Sequence, residues 1–201
     1  MDAADQVSVD AALKTLDDTD NFARLGGNAA IATSMAVLDA AARAEGLTLW
    51  RYLAGDAAVR LTLPEIQIFG GGAHAGRRVD VQDFLIMPIG ARSFDEAMAM
   101  TAEVYRAAGA LMEARGSLAG VADEGGWWPD FATNEEALDA LALSIEAAGY
   151  GNGEVVISLD IAASEFGAKG RYRLELEERE DDNGAWCEVL FGWLARCPIV
   201  S

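Results

Sequence analysis

From Leu61 onward, short apolar segments alternate with long helix-forming ones, and this order constrains the fold more than any other feature. Leu63-Pro64-Glu65-Ile66-Gln67-Ile68-Phe69 reads as a strand that runs into Gly70-Gly71-Gly72. Val79 to Met87 gives a second strand, stopped by Pro88. Ser93 with Glu96 forms a capping box that opens a long helix to about Arg115. Val121 to Gly126 reads as a loop with charge at its centre. Thr133 with Glu136 forms a second capping box, for a helix ending at Gly149. Val155 to Asp160 is a buried strand, apolar almost throughout, with an acid at its end. Tyr172 to Leu176 reads as a small ribbon arm and Trp186 to Arg196 as a last helix. Pro198-Ile199-Val200-Ser201 begins a further strand. The order argues for a parallel sheet or barrel. A closed eight-stranded barrel takes ~250 residues, so this region is expected to form an incomplete one.

The first sixty residues read as helical. Ser8 can cap a short helix through Leu16, followed by the acidic turn Asp17-Asp18-Thr19-Asp20. Asn28 to Ala44 is a second helix, with Ile31, Met35, Leu38 and Ala42 at helical spacing and Gly46 as terminator. Leu49 to Leu53 adds one more helical turn. The expected division is 1–60, helical, and 61–201, strands with helices.

The 201 residues, 52% of them hydrophobic, suffice for a real core. Fifteen Lys+Arg against thirty-three Asp+Glu leave a formal charge of −18, which disfavours nucleic acid and anionic membranes as partners. No apolar run is long enough to cross a bilayer, and the acidic start lacks a signal-peptide pattern, so a soluble cytoplasmic protein is expected. His74 is the only histidine, which excludes a two-histidine metal site. Cys187 and Cys197 match no zinc spacing and read as packing residues.

Polar groups gather where strands end, the place where barrels carry their chemistry. His74 follows the first strand through a glycine-rich loop; Asp83 lies in the second strand segment; Asp123 and Glu124 occupy the loop before Gly125-Gly126; Asp160 closes the third strand. One histidine with several carboxylates suits a hard divalent cation such as Mg²⁺ and an anionic substrate. Asp160, after an apolar strand, should be costly unless it is a metal ligand or salt-bridged. Trp127-Trp128 reads as a hydrophobic anchor for the acidic loop, or a lid. Glu135, Glu136 and the run Glu175 to Asp182 read as helix caps and a solvated acidic face.

In order along the chain, these segments resemble enolase (phosphopyruvate hydratase). Leu25-Gly26-Gly27-Asn28-Ala29 is similar to the family's L-G-A-N-A, and Gly71-Gly72-Ala73-His74-Ala75-Gly76 to its G-G-S-H-A-G loop. Gln82-Asp83-Phe84-Leu85-Ile86 resembles Q-E-F-M-I, and Ala122-Asp123-Glu124-Gly125-Gly126 resembles G-D-E-G-G. Leu159-Asp160-Ile161-Ala162-Ala163-Ser164-Glu165-Phe166 resembles L-D-x-A-A-S-E-F, and Pro198-Ile199-Val200-Ser201 the P-I-V-S before the next metal-site strand.

The resemblance implies an α/β fold: a partial enolase-type (β/α) barrel preceded by helices of an α+β capping domain. It implies the glycolytic, reversible dehydration of 2-phosphoglycerate to phosphoenolpyruvate, with Mg²⁺. This superfamily is itself a standard example of a Lys or His base acting with one or two Mg²⁺ ions. Glu124 would be the proton donor, Asp160 one ligand of the tightly held Mg²⁺, and His74 and Asp83 substrate contacts. Asp83 departs from the family's glutamate by one methylene; displacing a catalytic group by ~1 Å can reduce the rate ~100-fold. Gly70 stands where the family usually has asparagine. Neither Lys14 nor Lys169 matches the family's lysine base, and the resemblance places that base and two further metal ligands after Ser201. A homo-oligomer is expected where the full N-terminal domain is present. A non-catalytic paralogue acting as an interaction protein, and one half of a split enzyme, are the alternative expectations.

Overall fold

The computed structural model describes residues 2–77 and 79–201, with the side chain of His74 also outside the described residues. The chain divides into two compact units, Met1–Arg60 and Leu61–Ser201.

The first unit holds three helices: α1 (Gln6–Asp17), α2 (Gly27–Ala44) and α3 (Leu49–Ala54). Asp5, not Ser8, caps α1; its carboxylate accepts from the Ser8 backbone N–H at 3.0 Å. An aspartate at this position reaches the free amides of the first turn, so the helix starts two residues earlier than Ser8. Gln6 Nε2 donates to Ser34 Oγ at 2.7 Å and joins α1 to α2. The α2 residues buried here are Ala30, Ala41 and Ala42, whereas Ile31 and Met35 of the expected apolar stripe are 61% and 62% exposed. Small side chains let α1 and α2 approach, and the larger ones face outward.

The acidic turn after α1 is built around Asp17. Its carboxylate accepts from the backbone amides of Arg24 (3.0 Å) and Leu25 (2.6 Å) and from the Thr19 hydroxyl. Removal from solvent pushes this carboxyl up, but the Thr19, Leu25 and Arg24 bonds outweigh it and hold the group below the usual carboxylate range. It is covered by its own turn rather than by a deep core.

The second unit contains a five-stranded sheet in the order β3-β4-β1-β2-β5, from β1 (Ile66–Gly70), β2 (Asp83–Met87), β3 (Leu118–Val121), β4 (Trp127–Pro129) and β5 (Val156–Asp160). A second sheet is formed by β6 (Gly167–Ala168), β7 (Arg171–Leu174) and β8 (Arg179–Asp182). The helices are α4 (Phe94–Arg115), α5 (Asn134–Ala147) and α6 (Asn183–Arg196). Both expected capping boxes form. Ser93 Oγ accepts from Glu96 N while Glu96 reaches Arg92 N; Thr133 Oγ1 accepts from Glu136 N while Glu136 reaches Ala132 N.

The sheet is mixed, not parallel. β2 runs antiparallel to both β1 and β5. No α-helix separates β1 from β2, only a 3-10 turn at Gly72–Ala75, and a parallel return needs a longer crossover. β2 is also shorter than expected. Val79 and Val81 are fully buried like strand residues, yet Asn134 Oδ1 holds the Asp80 and Val81 amides, so this stretch is a packed loop. The expected loop at Val121–Gly126 is the turn of a β3–β4 hairpin. After α6, Ile199 bridges Ile157 in parallel, so the Pro198–Ser201 segment lies beside β5.

A core of Ile68, Phe69, Phe84, Ile86 and Ile157 packs against α4 and α5 residues such as Val104, Met112, Leu138 and Leu141. The run Glu175 to Asp182 is in part the expected solvated acidic face and cap: Glu175, Glu178, Glu180 and Asp182 are exposed and Asp182 caps α6, whereas Glu177 and Asp181 are nearly buried and pair with Arg179 at 3.1 Å and 3.0 Å.

Asp17 supplies a pH prediction. Its folded pKa lies below its unfolded value, so its contribution is fully present above pH ~3.9 and is lost as pH falls through the folded value. Asp17→Asn should lower the thermal midpoint at pH 7 and flatten its fall on acidification below pH ~4, read by circular dichroism.

Candidate active site

Register fixes the site. Across β1, β2 and β5, Gly70, Asp83 and Asp160 are directly paired, and Gln67, Leu85 and Ser158 form the next same-face row. Side chains alternate across a strand, so these six positions share one face and Phe84, Ile86 and Ile157 share the other. The register slips by one residue between Gln67 and Phe69, a bulge at Ile68. Without it Phe69 rather than Gly70 would oppose Asp83. The bulge therefore keeps Phe69 opposite Phe84 in the core and leaves the polar face free of a large ring.

Asp83 and Asp160 are thus neighbours, with Cβ atoms about 4.5–5.5 Å apart for directly opposed residues. Their surroundings differ. Asp83 is 6% exposed, and its two oxygens accept from Gln67 Nε2 and, at 3.2 Å, from Gln82 Nε2. Asp160 is exposed at the strand end and accepts from the Ala162 amide at 3.0 Å. The expected desolvation of Asp160 does not arise, because the strand delivers it to solvent just past its buried residues.

Glu124 sits in the β3–β4 turn and is exposed. The turn closes through Ala122 N to Gly126 O at 2.8 Å and Gly125 N to Ala122 O at 3.0 Å. Three outside contacts hold it. Gln67 Oε1 accepts from the Gly126 amide at 2.9 Å; the Tyr105 hydroxyl of α4 donates to Gly125 O at 2.9 Å; Trp127 stacks on Tyr105 at 4.5 Å. Trp127 is therefore an anchor, its indole N–H bonded to Tyr105 O at 2.8 Å. Burial pushes the Tyr105 phenol up, which keeps it a donor. A Cβ on Gly126 would stand 2.4 Å from Gln67 Oε1, so a side chain there would displace the Gln67 amide from its place.

The backbone of His74 lies in the 3-10 turn after β1, and its side chain lies outside the described residues. That turn is tied down by Gly71 N to Gln82 O (2.7 Å) and Gly72 N to Val79 O (2.8 Å). A Cβ on Gly71 would meet Val81 O at 2.1 Å, so the close backbone approach requires glycine. Trp128 of β4 covers Gly76 at the end of the same turn. Sequence reasoning singled out Asp83, Glu124, Asp160 and His74 but not Gln67 or Tyr105. A glutamine inside an otherwise apolar strand was the available signal.

Among the described residues, no three His, Cys, Asp or Glu side chains converge on one point. Asp160 presents a hard, exposed oxygen suited to one Mg²⁺ position, while both Asp83 oxygens are held by amides. The donor set present fits one ligand, not a closed shell.

The sequence model "Enolase, C-terminal TIM barrel domain" matches residues 58–191 and "Enolase, N-terminal domain" matches residues 1–53. The chain belongs to the enolase family. "Enolase 1" of Desulfitobacterium hafniense (strain Y51) is 44% identical over 205 residues, covering 100% of this chain and 47% of that relative. The chain thus spans about half the length of this enolase relative.

Gly70 and Ala122 both differ from the enolase pattern that the chain resembles. The family's asparagine is glycine here, and the first glycine of its G-D-E-G-G is Ala122. A Cβ on Gly70 would lie 2.5 Å from Ala122 Cβ, so the methyl of Ala122 fills space that the loss at position 70 opens. Gly70→Asn alone should destabilise the chain by about 1–3 kcal/mol through overpacking, and Ala122→Gly added to it should recover most of that loss, both read by urea unfolding.

Proposed function

We propose that this chain provides part of an enolase active site for the reversible dehydration of 2-phosphoglycerate to phosphoenolpyruvate, a carbon–oxygen lyase reaction of glycolysis. The observation that carries this reading is the pairing of Asp83 with Asp160 at one end of the sheet, with the Glu124 turn tied to Asp83 through Gln67. Glu124, exposed on an anchored turn, is the acid that protonates the departing hydroxide. Asp83 and His74 contact the substrate. Asp160 gives one oxygen to Mg²⁺, which when bound spreads the negative charge of the enediolate.

The reaction also needs a base for a weakly acidic proton. Lys14 lies on α1 of the first unit and Lys169 in the tight β6–β7 turn, with φ 52°, and neither matches the family's base position. A homo-oligomer or a completing chain is compatible with this proposal. A second reading, a non-catalytic interaction protein, is favoured by one observation: the Asp83 carboxylate is already occupied by two amides.

Purified protein combined with a polypeptide that supplies the lysine base and the further metal ligands, assayed by absorbance for phosphoenolpyruvate formation, should show Mg²⁺-dependent turnover that falls at least ~100-fold in Glu124→Gln. No turnover in a chain shown to be folded would favour the second reading.

A further inference from the structure

We propose that Gln67 is a positioning residue that couples the Asp83 carboxylate to the Glu124 turn. Its amide has two ends, and each is committed. Oε1 accepts from the Gly126 N–H at 2.9 Å, and that contact admits only an acceptor. The Nε2 end must then face Asp83, whose carboxylate accepts its bond. The assignment of the two ends follows from both partners at once, since reversing the amide would set donor against donor and acceptor against acceptor.

The placement is demanding. Gln67 opposes Leu85 on β1, on the same face as Asp83, and is only partly buried. The bulge at Ile68 separates it from Gly70, where the absence of a side chain leaves room; a Cβ at position 70 would approach Gln67 Nε2 at 3.4 Å. On the other side, Gly126 packs so closely that a Cβ would overlap the Gln67 amide. Two glycines therefore flank this side chain, and its length spans from strand to turn. Asp83 is shorter by one methylene than a glutamate would be, and Gln67 holds it by direct contact. One side chain thereby sets the spacing between the group proposed to touch substrate and the turn that carries the proposed acid. The kinetic consequence rests on the function proposed above; the coupling itself does not.

The test is amide hydrogen exchange in the 201-residue chain, followed by NMR. Gln67→Leu, close in size and without the amide, should speed exchange at Gly126 by about 10-fold, the equivalent of one lost hydrogen bond. Gln67→Glu keeps an acceptor for Gly126 but cannot donate to Asp83 and sets two carboxylates together, so it should also speed Gly126 exchange, as the loss of the Asp83 contact requires. Asp83→Ala should speed Gly126 exchange in the unsubstituted chain and not in Gln67→Leu, a non-additivity that independent sites do not show. Near-UV circular dichroism checks that each variant is folded. Unchanged Gly126 exchange in Gln67→Leu, or an equal effect of Asp83→Ala in both backgrounds, overturns the proposal. Where the chain turns over 2-phosphoglycerate, both Gln67 variants should lower kcat at least ~10-fold with KM within ~3-fold, the split expected of misplacement rather than lost binding. Coupling without any turnover would retire the proposed function and leave the positioning role of Gln67 standing.

Discussion

Strand β2 lies between β1 and β5, antiparallel to both, and a one-residue slip at Ile68 sets which side chains share each face of that ladder. Above the slip, Phe69 meets Phe84 and both go to the helix-covered core. On the opposite face, Gly70, Asp83 and Asp160 fall into one row. Because side chains alternate with a period of two, a single inserted residue exchanges the faces of everything beyond it. The site and the core are in this sense products of the same register.

The acid-bearing turn illustrates how a polar surface is made rigid without a hydrophobic core of its own. Glu124 is exposed, but the residues after it are fixed. Gln67 grips Gly126, Tyr105 grips Gly125, and Trp127 stacks on the Tyr105 ring. A Cβ on Gly126 would displace the Gln67 amide, and a Cβ on Gly109 of α4 would lie 2.6 Å from the Trp127 ring. Departures from the family pattern at positions 70 and 122 obey the same packing limit, each accommodating the other.

Two opposed aspartates in a chain of formal charge −18 form an electrostatically uneasy pair. The structure separates their roles. Asp83 is buried and held by two side-chain amides, whereas Asp160 is exposed and accepts from a backbone amide two residues on. The first arrangement suits orientation and the second suits a ligand oxygen.

The sequence by itself determined the elements whose signals are local. The capping boxes at Ser93 and Thr133 set helix starts because the free amides they satisfy are one turn away, and the apolar Val155 to Asp160 segment can only be a buried strand with its acid at the end. Asp83, Glu124, Asp160 and His74 were singled out because their segments stand along the chain in the order of the enolase motifs they resemble. What only the tertiary structure decided depends on partners distant in sequence. Val79 and Val81 read as strand residues from their apolar pattern, but Asn134, more than fifty residues on, holds the Asp80 and Val81 amides as a loop. The antiparallel course of β2 beside β1, the bulge at Ile68 and the bridge through Gln67 likewise follow from pairing between residues 13 to 59 positions apart. Local propensity carries no record of such pairing, because a strand's direction, register and neighbours are fixed only when another strand presents its hydrogen-bonding edge.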